Sequence, residues 1–398
     1  MRAGAACRYS VAVSDTTTTR LRLSRMLPRD PSQPHRAASS LELFFDLVFV
    51  VAVSIASAQL HHALFEGHLL DGIVSYLMVF FAIWWAWMNF TWFATSFDTD
   101  DWLYRVLTIV QMSGVLVLAA GIPRAFSEHS FLLLVIGYIV MRVAMVAQWL
   151  RAARSAAEYR RTALFYAGGI AVVQVLWVLF LFVPSAWRVG VFVVLVALEL
   201  AVPLLAESQN TTPWHPHHIT ERYSLFTLIV LGETILASAN AVIGALDEVE
   251  SLVPLISIAV LTLISAASMW WIYFWPPHHR AITTMRSSFN YGYAHYFVLA
   301  AAAAFSVGIE LQIDLLTGEG HVDPLIASFA VAIPIAVFLL AIWWVAIRAN
   351  ADRVVNLVVP GGAVLVLIDA MLPLPVALTT VILVAVVVVL VLRRPVRH

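Results

Sequence analysis

A helix needs about 20 apolar residues to cross the hydrocarbon of a bilayer, and from residue 41 onward this chain consists of little else. Twelve such runs follow one another, at 41–60, 70–93, 103–122, 130–150, 163–183, 187–206, 222–245, 252–275, 292–314, 325–348, 354–371 and 374–392. The expected fold is an all-α polytopic membrane protein of about twelve transmembrane helices. The last two runs are the least regular, because Gly361-Gly362 and Leu372-Pro373 leave open a re-entrant pair in place of two spans. Composition agrees with the class: 62% of the 398 residues are hydrophobic and 12% are charged, about half the charged share of a soluble domain.

The arginines test the helix count independently, since positive charge collects on the cytoplasmic side. With the N-terminus inside, the inner segments hold Arg2 to Arg36, Arg151, Arg154, Arg160, Arg161, Arg280, Arg286, Arg353, Arg393, Arg394 and Arg397. The outer loops hold Arg124 and Arg188. An odd count would break this alternation, so both termini are expected in the cytoplasm. Residues 1–38 form an Arg-rich tail without the apolar stretch of a signal peptide, and it reads as disordered as far as Arg25. Met26 is an alternative start to Met1. The one cysteine, Cys7, lies in this tail, so disulfides play no part in the fold, and a net charge of −1 suggests no nucleic-acid partner.

The chain also echoes itself. "WWAWMNFTWF" at 84–93 and "WWIYFW" at 270–275 each close the second helix of a set of six. Glu42 with Ala56-Ser57-Ala58 parallels Glu221 with Ala237-Ser238-Ala239, and Tyr104 and Tyr293 open the third helix of each set. The implied organisation is a six-helix half at 39–206, a His/Pro loop at 207–221, a second half at 222–392 and a basic tail at 393–398. Two halves of six helices insert in the same orientation, as a parallel repeat.

Ionisable groups in hydrocarbon are costly and face a bundle interior or a water-filled cavity. The first helix opens "SLELFFDLVFVVAV" at 40–53, with Glu42 and Asp46 one turn apart on one face. Helix directions place Asp46, Arg142, Glu199 and His295 at similar depths, where they are expected to meet in one layer of the cytoplasmic half. Glu233 lies about 18 Å along helix seven from Glu221, near the midplane, and shares a face with Arg222. Two accounts of these charges stay open: buried ion pairs that lock helices together, or a hydrated route for an ion or a proton.

Cytoplasmic loops add two further groups. "TPWHPHHITER" at 212–222 and "PPHH" at 276–279 bring His215, His217, His218, His278 and His279 to one side. Their spacing matches no standard metal set and no cysteine joins them, so no metal or other cofactor is expected; a stiff loop entering helix seven at an N-cap Thr220 accounts for the prolines. The acids of "FDTDD", Asp98, Asp100 and Asp101, precede helix three and suit its positive end. Outside, Glu66, Asp71, Glu128, Asp247, Glu248, Glu250, Asp314, Glu319 and Asp323 face the two arginines, a balance that concentrates cations. Walker A, Gly-rich dinucleotide, His-Glu-x-x-His and Gly-x-Ser-x-Gly motifs are all missing.

At "ELFFDLVFVVAV", "FDTDD", "MRVAMVAQWLRAAR", "WHPHHITERYSLFTLIVLGETIL" and "GYAHYFVLAAAA" the chain strongly resembles the bacterial low temperature requirement A family, over residues 34 to 392. The resemblance implies a multi-pass bacterial membrane protein linked by name to growth in the cold, and it implies class rather than mechanism. Trp275 departs from the family, where many relatives carry an acid. A fainter likeness is to the endolysosomal potassium channel family, whose Arg-x-x-x-Phe-Ser-Asp pattern opens a pore-lining first helix. Phe44-Phe45-Asp46 fits the end of that pattern while Ser40 replaces its arginine; in the second half Arg222 and Phe226-Thr227 fit while Leu228 replaces its acid.

The expected protein sits in the bacterial inner membrane and moves a small cation or a proton through the lipid bilayer, alone or as a homo-oligomer. The rival is a non-transporting sensor or scaffold for cold or membrane stress. A metal-dependent membrane enzyme is the third reading and needs the histidine loops to bind metal.

Overall fold

The computed structural model describes residues 23–30, 33, 37–247, 249, 251–318, 322–372 and 375–396. Among them twelve helices follow in order: α1 (Ser40–Phe65), α2 (Leu69–Phe97), α3 (Trp102–Ser127), α4 (Leu132–Ser155), α5 (Arg160–Phe180), α6 (Ser185–Glu207), α7 (Pro216–Gly244), α8 (Leu252–Phe274), α9 (Met285–Thr317), α10 (Pro324–Ile342), α11 (Arg353–Asp369) and α12 (Pro375–Leu392). Each apolar run has become one helix, and ten of them are long and apolar enough to cross a membrane. The protein is therefore an all-α polytopic membrane protein. α10 loosens at its end into one π-turn, Trp343–Ile347.

Odd-numbered helices start, and even-numbered helices end, at the membrane face that carries residues 23–33, here called the amino face. Caps written into the sequence set several of the starts. Ser39 and Glu42 form a capping box on α1, as Thr284 and Ser287 do on α9, and Asp101, Asp323 and Asp352 cap α3, α10 and α11. α7 starts four residues before the expected Thr220, because His215 caps it through a side-chain nitrogen and Pro216 supplies the first helical position. The Thr220 hydroxyl instead donates back to the carbonyls of Pro216 and His217.

α9, with 33 residues, is the most enclosed of the long helices and lies against α1, α7 and α10. Neighbour relations in the first six helices recur in the second six. α1 packs on α2 and α3, and α7 on α8 and α9; α3 packs on α4, and α9 on α10. α11 and α12 form an antiparallel hairpin whose two ends return to the amino face, with Trp275 Nε1 donating to Leu390 O at 2.8 Å and Ser265 paired to Thr380 at 2.8 Å. Gly361-Gly362 stays inside α11; Gly362 gives Val386 of α12 room, since a Cβ there would lie 2.8 Å from its Cγ2. Pro373 lies outside the described residues.

The N-terminal tail is anchored from Ser24 onward. Ser24 N donates to Asp101, Arg29 N donates to Ser96 O, and the Met26 side chain is fully buried. A chain started at Met26 would lack the Ser24 tie.

Two helix pairs approach through glycine, as small residues allow in membranes. A Cβ on Gly137 would lie 2.5 Å from Gly114 O across the α3–α4 contact, and one on Gly308 would lie 2.5 Å from the Ala330 backbone across α9–α10. Backbone atoms cannot move aside as a side chain tip can. Gly137→Ala and Gly308→Ala are each expected to lower stability by about 1–3 kcal/mol, read as a reduced melting temperature of the purified protein in detergent. Gly168→Ala, with open space around it, is the control and should leave melting unchanged.

Candidate functional site

Glu42 and Asp46 of α1 face His218 and Arg222 of α7, and all four positions are spaced by one helical turn. The result is a ladder of two rungs. Glu42 Oε1 lies 3.2 Å from His218 Nε2, and Asp46 Oδ1 accepts Arg222 Nη2 at 2.6 Å. Asp46 Oδ1 also accepts the Trp87 indole of α2 at 2.7 Å, while Glu42 Oε2 accepts Ser39 N at 2.8 Å. Asp46 and Arg222 are fully buried, yet Arg222 Nε and Nη1 and Asp46 Oδ2 have no hydrogen-bond partner in the protein. Of the pair sought on the first helix, Phe45 is buried between Phe49 and Phe90 at 4.6 and 4.1 Å, whereas Phe44 is half exposed and faces the lipid side. Glu221, next to Arg222, is half-buried and outside the ladder.

The expected single layer of Asp46, Arg142, Glu199 and His295 does not form. Arg142 pairs with Glu199 at 3.0 Å in a second centre, separate from the ladder because α4 and α6 lie on the far side of α2 from α7. Glu199 there accepts Trp85 Nε1 at 2.7 Å and Trp177 Nε1 at 3.0 Å, and the Arg142 guanidinium lies 5.0 Å over the Tyr138 ring. One carboxylate thus ties α2, α4, α5 and α6 together. His295 joins neither pair; its Nδ1 meets Tyr291 O at 2.7 Å and its Nε2 meets the Tyr273 hydroxyl at 3.1 Å.

The histidine loops are engaged as scaffolding. His215 Nδ1 accepts His218 N at 3.2 Å and its Nε2 meets Gln33 O at 2.7 Å. His278 uses Nδ1 on Tyr291 and Nε2 on Tyr273 O, and burial pushes its pKa down to about 4. His217 and His279 stack at 4.2 Å. Among the described residues no three His, Cys, Asp or Glu side chains gather in a metal-holding arrangement. The acids before α3 hold the amino face: Asp98 pairs with Arg29, Asp100 with Arg105 and Asp101 with Arg151. Burial alone would raise Asp101, but hydrogen bonds from Arg151 and the backbone of Tyr104 and Ser24 hold its carboxyl below the usual range.

Glu233 stands apart from both centres. It lies eleven residues, about 16 Å, along α7 from Arg222, and among the described residues it has neither an ion-pair nor a hydrogen-bond partner. It lines a cavity of about 380 Å³ between α1, α7 and α9, together with Glu310, Asp314, His61 and the hydroxyl-bearing Ser54 and Ser57. His61 Nε2 lies 2.8 Å from Asp314 and its Nδ1 3.8 Å from Glu310. The last turns of α1, α7 and α9 form the mouth, on the face opposite the amino face. A groove of about 580 Å³ between α1 and α7 also reaches Glu233 from the lipid side. Sequence reasoning missed Glu310 and set His61 aside, although Glu310 and Asp314 repeat the signal of Glu42 and Asp46: two acids one turn apart in an apolar helix.

Fold and site together define a polytopic α-helical membrane protein with paired charges at one level and an acidic cavity at another. Residues 37–392 match the family described as bacterial low temperature requirement A protein (LtrA), and the chain belongs to that family. It is also similar to an uncharacterized protein of Rhizobium meliloti (strain 1021), 30% identical over 275 residues, which cover 64% of this chain and 65% of the relative. The match thus spans a little under two thirds of that relative's length.

Removing one member of a buried pair strands its partner at a cost of about 3–5 kcal/mol, whereas replacing both with apolar groups is often neutral. Glu199→Leu should therefore unfold the protein or strongly lower its melting temperature. Adding Arg142→Met should recover most of the loss. A stable Glu199→Leu single variant would show that the centre holds nothing together.

Proposed function

We propose that this LtrA-family protein conducts or transports a small cation or a proton along α1 and α7. The observation that carries the reading is the cavity ending at Glu233. A carboxylate at the middle of a span is costly unless it is hydrated or paired, and Glu233 has no pairing partner among the described residues. Three carboxylates around one enclosed space raise the local concentration of cations. Below Glu233 the path is closed by Val53, Phe49, Val230 and Phe226, all buried, and then by the ladder. The described form is open from one side only. A carrier needs such a form, and so does a closed channel.

The arginine distribution supports placing the protein in the bacterial cytoplasmic membrane, with the amino face inside. Cysteines introduced at Gly67 should react with an impermeant reagent in intact cells and those at Ala156 should not; the opposite pattern would invert the orientation.

The rival, a non-transporting sensor or scaffold, is favoured by the Arg142–Glu199 centre, where every carboxylate oxygen is engaged by protein donors. Glu233→Gln separates the two. It keeps the shape of the side chain and removes the charge, so cation or proton flux in proteoliposomes should fall by about tenfold or more while yield and melting temperature stay near those of the parent. Unchanged flux in a stable Glu233→Gln protein would remove Glu233 from the path.

A further inference from the structure

The N-terminal segment is tied down at two places on the amino face. Ser24 and Arg29 hold it to the acids before α3, and at the other tie Gln33 O meets Nε2 of the buried His215 at 2.7 Å. The same imidazole caps α7, its Nδ1 accepting the backbone N–H of His218 at 3.2 Å. These two bonds settle the proton. A ring nitrogen facing an N–H must be bare, and one facing a carbonyl must carry hydrogen. His215 is therefore the neutral Nε2–H tautomer, and a second proton taken from solvent would sit on Nδ1, pointing at the N–H that it now accepts. The cap bond then becomes a contact between two donors.

No carboxylate among the described residues touches the His215 ring to hold that second proton. His217 of α7 lies 5.9 Å away between ring centroids, with His279 stacked upon it. Thr95 of α2 meets the His215 backbone N–H. The nearest acid along the chain of contacts is Glu42 of α1, already engaged by His218 and Ser39. His218 is at once the residue whose N–H is capped and the upper rung of the ladder. Loss of the cap therefore acts on the first turn of α7, where the ladder closes the path.

We infer that His215 is an acid-sensitive latch, tying the N-terminal segment to the start of α7 and keeping the amino-side end of the cation path shut. The inference rests on the path proposed above, whose regulation it names. Histidine is the side chain suited to such a change between about pH 8 and 5.

Hydrogen exchange of the purified full chain, corrected for intrinsic rates, tests the latch without reference to transport. Protection of the His218 amide and of residues 27–30 should fall about tenfold between about pH 7.5 and 5 in the parent, in keeping with loss of one helix cap. In His215→Asn, which offers a cap acceptor that does not titrate, protection should not change with pH; His215→Gln, keeping a donor toward Gln33 O, is the second variant if the first fails to fold. Flux into proteoliposomes should rise on acidifying the amino side of the parent and stay flat in either variant. Equal loss of protection in parent and variants, or none in the parent, overturns the latch even where flux persists. Acid-dependent protection with no flux at any pH overturns the transport reading and leaves the tie itself standing.

Discussion

The contact between α1 and α7 depends on a buried guanidinium. Arg222 has no exposed surface and a single carboxylate bonded to it, in a medium where an unpaired charge costs several kcal/mol. That constraint fixes the register of the two helices: Asp46 must stand opposite Arg222, and one turn toward the amino face Glu42 then stands opposite His218. Trp87 completes the arrangement from α2 by donating to Asp46 while its ring stacks on Phe226 at 4.5 Å. Three helices are thereby held at one level, and the cavity at Glu233 opens where that hold ends.

The second centre works differently. Glu199 is surrounded by donors on both oxygens, and its arginine lies over an aromatic ring. The ladder, by contrast, leaves two guanidinium nitrogens and a carboxylate oxygen without partners. Two buried ion pairs in one bundle thus differ in completeness. The complete one is built like a fastening, and the incomplete one lies on the line from Glu233 to the amino face.

Much of the architecture was legible because hydrophobic length is a strong signal: the twelve apolar runs became α1 to α12. Helix starts were less legible where an unusual cap decided them, as with His215, since histidine is a poor indicator of an N-cap on composition alone. The charged residues were recognisable as a set, but their pairing was not. Depth along a helix is readable from spacing, whereas rotation and neighbours are set by packing, so Asp46 and Arg142 stood at one depth in the sequence and in different centres in the fold. The cavity escaped notice for a related reason. Glu310 and Asp314 lie on a helix whose many small residues read as packing surface, and only its contact with both α1 and α7 turns that face toward an enclosed space.

Three of the indole groups that made the chain look merely lipid-loving, Trp85, Trp87 and Trp177, point their N–H at buried carboxylates. An indole gives a hydrogen bond and can neither accept one nor release its proton at ordinary pH. It therefore sets polarity permanently, where a tyrosine or histidine in the same place would let donor and acceptor exchange. The tryptophans of α2 make that helix a fixed electrostatic template across the bundle, so that its aromatic bulk determines which oxygens can hold charge as well as how the neighbouring helices fit.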